Sequence, residues 1–380
     1  MLQYYPMRQI PILFLQSEIK DPYIHYESML RENPVYFDPA TNLWAIHSYE
    51  DCSLALSHIS TNIPGINTEG LNEYAQLISG KLARLTNGAA HELARHAAYQ
   101  LFENINPVSA GNITAKLLQS LKSDKEVDWV NTVCLKLPSL VLLNSFGFAE
   151  EDVEFISAQV SHLSKLIAPV KTSEQIDAIN GISKEVYDRI EKHIAKKNGI
   201  KINDTLSLCV SNLIGLLIQG YDAGRGLLSN SLLQLLNGSA YLPDTVTLDY
   251  LQKLVMETLR FDPPVHHTRR IVTEDIILGN SIIRKGEMLL IVLAAANRDP
   301  KRFGHPSIFN IDRGNNSDHL TFGRGIHKCL ANHYSVSMVT GSLYWLLNTY
   351  KRINFAETNI DYEPLANVRF PKNIFISLTQ

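Results

Sequence analysis

The apolar positions of this chain recur mostly at helical spacing, interrupted by a few short runs that alternate as strands do. The longest periodic stretch runs from about Thr205 to Leu236, with Asp204 placed to cap its start and Asn237-Gly238 to stop it. At about 1.5 Å per residue such a helix is roughly 50 Å long, enough to cross the molecule. Its run from Leu213 to Ile218 is apolar enough to raise a membrane span, but Asn212, Gln219, Asp222 and Arg225 interrupt it. A central protein helix is therefore expected, without membrane insertion. Gly220, Gly224 and Gly226 fall inside it, each costing up to about 1 kcal/mol relative to alanine, so something passes close to the helix or it deforms locally.

Before this stretch the pattern predicts a helix around Asp21-Pro22-Tyr23. A hairpin follows, from Pro34-Val35-Tyr36-Phe37 and Leu43-Trp44-Ala45-Ile46, and then a helix from Tyr49 to His58. Ser60 to Gly88, broken by Pro64, Gly65, Gly70 and Gly80, is expected to be irregular, and residues 110–200 read as several amphipathic helices. After it come a helix over residues 249–260 and strands at Ile276–Leu278, Ser281–Ile283 and Met288–Leu293. A helix then carries Val336, Val339, Leu343, Leu346 and Leu347, before a last hairpin of Val368-Arg369-Phe370 with Ile374–Leu378 about Pro371-Lys372-Asn373.

No Pro/Gly/Ser-rich linker, charge block or low-complexity tract divides the 380 residues, so one domain spanning 1–380 is expected. A net charge of −3 argues against a nucleic-acid binder, which needs a clustered basic surface. Cys52, Cys134, Cys209 and Cys329 are far apart and form no Cys-x-x-Cys pair, which excludes zinc ribbons, covalent c-type haem attachment and iron–sulfur ligation. A reducing, cytoplasmic setting fits them. Ile10 to Leu15 is too short to span a bilayer and lacks the flanks of a signal peptide.

The densest chemistry lies in Leu320-Thr321-Phe322-Gly323-Arg324-Gly325-Ile326-His327-Lys328-Cys329-Leu330-Ala331. Two glycines permit a tight loop and close approach of a flat partner. Cys329, expected at the start of the next helix, is placed for its thiolate to be stabilised by free N–H groups and the helix dipole. A thiolate presented this way is a metal ligand or a nucleophile; a buried structural cysteine beside a glycine turn is the plainer reading.

Phe-Gly-x-Gly-x-His-x-Cys-x-(Gly/Ala), matched by Phe322, Gly323, Gly325, His327, Cys329 and Ala331, resembles the haem-binding loop of the cytochrome P450 family. The resemblance implies that Cys329 is the axial thiolate of haem b and the iron ligand, with Phe322 in the haem loop and His327 near a propionate. Three further motifs follow the family's order. His91 and Arg95, four apart on one helix face, stand where the family has a His-x-x-x-Arg pair reaching the propionates, although alone they would read as a surface pair. Gln219-Gly220-Tyr221-Asp222-Ala223-Gly224 aligns with Ala/Gly-Gly-x-Asp/Glu-Thr-Thr, keeping Gly220 and Asp222 but losing both threonines. An ion pair of Asp222 with Arg225 at i+3 is its structural alternative. Glu257 and Arg260 match Glu-x-x-Arg, a buried structural lock in the family, with Arg298 of Asn297-Arg298-Asp299-Pro300 as a candidate support.

By the same resemblance Arg270 reaches a propionate, Val265, His266 and His267 lie beside the substrate, and residues 60–88 cover the pocket. The implied fold is mainly α with small β-sheets, haem lying between the long central helix and the post-cysteine helix. The implied activity is monooxygenation of a small organic molecule, free or carrier-bound, in specialised metabolism, with electrons from a ferredoxin or flavodoxin and its reductase. In the family the acid and the following threonine deliver protons during dioxygen activation. Ala223 cannot, so Asp222 with Tyr221, Gln219 or a substrate hydroxyl has to serve. A peroxide-driven or non-oxygenating enzyme of the same fold (coupling, dehydration or rearrangement) and a non-catalytic haem sensor or carrier-binding protein are the alternatives.

Overall fold

The structure, a computed structural model, describes residues 10–103, 105–119, 126–198, 204–355 and 359–379. In chain order they form α1 (Pro22–Glu32), β1 (Val35–Asp38), β2 (Leu43–Ile46), α2 (Tyr49–Ser57), β3 (Thr61–Asn62), α3 (Glu73–Gly80), α4 (Gly88–Glu103) and α5 (Ala110–Gln119). Next come β4 (Glu126–Asp128), α6 (Leu137–Phe146), α7 (Glu150–Leu163), α8 (Ser173–Asn198), α9 (Asp204–Leu236), α10 (Leu248–Phe261), β5 (Thr268–Val272), β6 (Ile276–Leu278), β7 (Ser281–Ile283) and β8 (Met288–Ile291). The chain ends with α11 (Leu293–Ala296), α12 (Asn332–Thr349), β9 (Arg352–Phe355) and β10 (Phe375–Thr379).

Local chemistry sets most of these boundaries. The Asp21 carboxylate accepts from Tyr23 N–H with Pro22 in the first turn of α1, and Ser48 and Thr247 cap α2 and α10 in the same way. Asn72 accepts from Ala75 N–H, and that cap explains why α3 forms inside a stretch expected to be irregular. The capping role expected of Asp204 concerns a side chain outside the described ones, whereas Gly238 stops the chain beyond α9 in the left-handed region, φ +76°.

Two compact units emerge: Met1–Asn62, Ala110–Leu135 and Ala223–Gln380 form the first, and Ile63–Ser109 and Lys136–Asp222 the second. In the first, a five-stranded sheet runs β1-β2-β8-β5-β3, with β2 and β8 parallel and its other pairs antiparallel. Alternation along the strands sends Ile46, Leu289 and Ile291 to one core with Leu56, Val272 and Leu320, and Leu43, Ala45 and Leu290 to another with Phe14 and Tyr26. The sheet is thus covered on both faces. Gly111 lets α5 meet α12 closely, since a Cβ there would lie 2.8 Å from Trp345 Cβ.

The expected C-terminal hairpin does not form. β10 lies between β4 and β9 in a three-stranded sheet, while Val368 bridges Val265 and Pro371 bridges Tyr362. Proline lacks the N–H that a tight ladder needs, and the residues before it find their partners far back in the chain.

The second unit holds α3, α4, α6, α7, α8 and the first part of α9. There the segment before α3 is fastened to α8: Asn72 N–H donates to Asn180 Oδ1 at 2.7 Å and Asn180 Nδ2 to Gly70 O at 2.8 Å. The stretch Thr205–Leu236 is long and apolar enough to cross a membrane, yet Leu206, Val210, Leu213, Ile214, Leu228 and Leu232 are buried in protein contacts.

Glu257 and Arg260 of α10 are both fully buried and paired through Nη2 to Oε1 at 2.7 Å and Nε to Oε2 at 3.0 Å. The second cation on Glu257 is Arg313, its Nε 3.3 Å from Oε1. Arg298, the support expected from sequence, instead donates twice to Phe261 O, with its guanidinium 3.6 Å from the Tyr23 ring centroid and 3.7 Å from that of Phe261. The carbonyls freed at the end of α10 and two flat aromatic rings suit a guanidinium that the neighbouring carboxylate does not need.

Three buried histidines make this fold sensitive to acid. Burial holds His47 and His319 at about 3 and His267 at about 4, all below the ordinary 6.5. Below pH 6.5 the unfolded chain takes up protons that the folded chain refuses, so stability present above that pH is lost on acidification until the folded values are reached. Each group contributes up to about 1.4 kcal/mol per pH unit. The urea midpoint should fall steadily from pH 7 to 5 and fall less steeply in His47→Leu; a midpoint independent of pH would refute the assignment.

Candidate haem-thiolate site

The loop from Leu320 to Ala331 is built by its own backbone. Gly323 N–H donates to Leu320 O at 2.8 Å and Cys329 N–H to Phe322 O at 2.8 Å, closing a turn in which Gly323 and Gly325 take φ of +69° and +70°. These are left-handed values that side chains disfavour. Gly325 has a second constraint: a Cβ there would stand 2.9 Å from Ser57 Cα and 3.0 Å from Leu56 O, so the loop sits directly on α2. Arg324 Nη1 donates to Ser53 Oγ at 2.7 Å on the same helix. Leu330 and Ala331 separate Cys329 from α12, so the cysteine precedes the helix rather than opening it.

The four cysteines differ in a way that composition cannot show. Cys52, Cys134 and Cys209 are buried, and burial pushes their thiols up, the first two well up, which keeps them protonated and inert. Cys329 is only half-buried. Its neighbours Phe322, Leu330 and Ala331 are half-buried too, leaving apolar surface accessible around the sulfur. Among the described residues no three His, Cys, Asp or Glu side chains gather as a metal-ion cage. A single thiolate suffices where the metal brings its other ligands with it, as iron does in a porphyrin; the donor set and the tight backbone therefore fit haem.

On α9, Leu216 and Gln219 to Ala223 are half-buried between stretches that are buried on both sides. A Cβ at Gly220 would meet nothing within 4 Å, so there is room beside this helix turn. Gln219 Nε2 donates back to Gly215 O at 2.8 Å. Arg225, the alternative partner of Asp222, forms its ion pair with Glu363 at 2.7 Å and stacks over Phe370. Ala223 and Gly224 carry no hydroxyl.

His91 is buried on α4 with Nδ1 2.7 Å from Ala83 O, and Arg95, one turn on, reaches Tyr99 Oη at 3.3 Å. Arg270 is buried in β5, where Nη1 donates to Arg269 O at 2.8 Å. Of the three residues expected beside the substrate, Val265 remains half-buried. His266 is 0% exposed, its Nδ1 lies 2.9 Å from Tyr26 Oη, and it packs among Tyr23 and Tyr26. Burial, then Arg369, His267 and Arg298, hold it neutral. His267 turns its Nε2 to Ala366 O at 3.1 Å.

A pairing that sequence reasoning missed is that of the segment Leu365–Arg369. It runs antiparallel to Pro264–His266, with His266 N–H donating to Asn367 O at 2.9 Å and Arg369 N–H to Pro264 O at 2.8 Å. No periodicity marks it, because its pairing is a long-range event.

This fold and thiolate loop define a haem-thiolate protein. The sequence profile of the family described as Cytochrome P450 matches residues 234–360. The chain is 31% identical over 331 residues to Cytochrome P450 119 of Sulfurisphaera tokodaii, covering 81% of this chain and 86% of that protein. It is also 26% identical over 375 residues to the biotin biosynthesis cytochrome P450 of Bacillus subtilis, covering 92% and 94%. Among solved structures, P450BioI in complex with an acyl carrier protein ligated to hexadec-9Z-enoic acid superposes with a TM-score of 0.79 at 24% identity, covering 94% of this chain and 99% of that one. The chain belongs to the cytochrome P450 family, and with it to the haem-dependent monooxygenases, oxidoreductases whose cofactor is iron protoporphyrin IX.

The two loop glycines should respond differently to substitution. Gly323→Ala carries only the left-handed strain of about 1 kcal/mol, its nearest atom being 3.7 Å away. Gly325→Ala adds a clash with α2 that costs about 1–3 kcal/mol more. Equal losses in urea unfolding would show that the contact with Ser57 does not constrain the loop.

Proposed function

We propose that this chain is a single-domain, cytoplasmic monooxygenase that oxidises a small organic molecule of specialised metabolism. Cys329 would supply the thiolate that ligates the haem iron, and His91, Arg95, Arg270 and His327 would offset the charge of the propionates. The observation that carries this reading is that Cys329 is the one half-buried cysteine and stands in a turn with two left-handed glycines. When bound, the haem supplies activation of dioxygen at an iron whose thiolate ligand favours O–O cleavage.

The protein's own part is to hold, shape and move protons. Gly323 and Gly325 bring backbone rather than side chain against the ring, and Val265 with the segment Leu365–Val368 lines the substrate side. Asp222, half-buried on α9, carries protons inward through water. A hydroxyl for the last transfer is missing at Ala223 and Gly224, and Gln219 has its amide turned to Gly215 O. A polar group of the substrate, or Tyr221, completes the path. The absent hydroxyl also favours a second reading, in which the enzyme uses peroxide or performs coupling, dehydration or rearrangement without oxygen insertion.

Electrons for dioxygen chemistry come from a ferredoxin or flavodoxin with its reductase. Exposed Arg324 and Lys328 offer positive charge to an acidic partner, and Ile326 between them is 65% exposed. The relative solved with an acyl carrier protein supports a carrier-bound form of the substrate.

Two outcomes test the reading. Reduced protein with carbon monoxide should show the strongly red-shifted Soret band of thiolate-ligated haem; persistence of that band in Cys329→Ala would refute the ligand. A substrate analogue lacking the polar group should bind yet divert most reducing equivalents from NADPH to peroxide, and Ala223→Thr should partly restore coupling. Full coupling with the analogue in the unaltered enzyme excludes substrate assistance, and product formed from peroxide alone at the same rate supports the second reading.

A further inference from the structure

A buried carboxamide on α9, Asn212, is joined to the turn that carries the partner of His91. Asn212 is 5% exposed, and its two ends are used on one short segment: Oδ1 accepts from Ala83 N–H at 2.9 Å, and Nδ2 donates to Lys81 O at 2.9 Å. Asn212 Nδ2 also donates to Leu208 O at 2.9 Å, which fixes the side chain against its own helix. Between these two anchors Leu82 is fully buried and fits a gap that only glycine leaves, because a Cβ at Gly215 would be 2.7 Å from Leu82 Cδ2. Lys81 Nζ is in addition bonded to Ser207 Oγ of the same helix. Ala83, whose N–H is held by Asn212, presents its carbonyl to His91 Nδ1 at 2.7 Å.

We propose that Asn212 is a positioning residue for the cofactor, setting the orientation of His91 through the Lys81–Ala83 turn. A carbonyl accepts only, so His91 donates to it through Nδ1–H; a carboxylate accepts only as well, so the ring meets the propionate as a second donor through Nε2–H, as an imidazolium. The angle of the ring then depends on where Ala83 O lies, which is fixed by the carboxamide of Asn212 and the gap at Gly215. Outer partners of this kind orient the inner group without touching the ligand. The proposal rests on the reading that His91 holds a propionate.

Haem transfer from the holoenzyme to apomyoglobin measures retention without turnover. His91→Ala should speed transfer about tenfold, and Asn212→Leu should do nearly as much. Asn212→Asp, which keeps the acceptor for Ala83 N–H, should recover part of the loss. Gly215→Ala places a favourable helix residue where it displaces Leu82, and it gives a folded variant with the same direction of effect should Asn212→Leu not fold. In the His91→Ala background neither change should speed transfer further, since the group they orient is gone.

Long-range proton–nitrogen spectra of the histidine-labelled, diamagnetic ferrous carbon monoxide form at pH 8 should show a histidine protonated on both ring nitrogens that is lost in His91→Ala and altered in Asn212→Leu. Unchanged transfer in His91→Ala refutes the propionate reading. Fast transfer in His91→Ala with normal transfer in both Asn212→Leu and Gly215→Ala, or full additivity in the double variants, overturns the positioning role alone.

Discussion

The carboxylate of Glu257 has no water to stabilise it, and a buried charge of that kind persists only when cations and hydrogen bonds replace its hydration. Arg260 and Arg313 meet this demand, and their remaining donors do the organising. Arg260 Nη1 donates to Asn297 O and Pro306 O, and Arg313 to Gly304 O, His305 O and Ile308 O, while Asn310 N–H returns to Glu257. The irregular chain between α11 and the cysteine loop is thereby tied to α10. Asn297 then accepts from Leu320 N–H at 2.7 Å, and Thr321 Oγ1 donates to Leu259 O, so the entrance of the thiolate loop is hung from the same lock. Removing one partner would leave a bare charge and loosen a loop some 70 residues away from the carboxylate.

Close approach is the second constraint. Glycines at 111, 215, 226 and 325 are each positions where a Cβ would come within 3.0 Å of a neighbour: Trp345, Leu82, Pro264 and Ser57, respectively. Three of these contacts lie on long helices, where glycine costs about 1 kcal/mol relative to alanine, so local helix stability is given up for packing. Gly220 is different, because space rather than a side chain lies beside it. The same helix thus carries glycines of two kinds, one for protein contact and one for room, and the loss of both threonines falls next to the open one. Ala223 and Gly224, which carry no hydroxyl, thus lie on the turns of α9 that follow the open one.

Much was determined by the sequence itself. The helical period over Thr205–Leu236, the caps at Asp21 and Ser48, and the hairpin of β1 and β2 depend on contacts within a few residues, and the cysteine loop with its paired glycines is local backbone chemistry. What tertiary structure decided involves partners far apart in the chain. Whether Glu257 would recruit Arg298 or Arg313 depends on which guanidinium reaches it; Arg298 was drawn to Phe261 O and two aromatic rings. Strand alternation alone leaves the environment of His266 open, and its contact with the hydroxyl of Tyr26, 240 residues earlier, exists only in the fold. The final strand paired with β4 and β9 rather than with Val368–Phe370, because pairing follows available edges and not proximity in sequence. Burial likewise separated Cys329 from three other cysteines that composition treats alike: a thiol's reactivity depends on the dielectric around it, and only folding creates that difference.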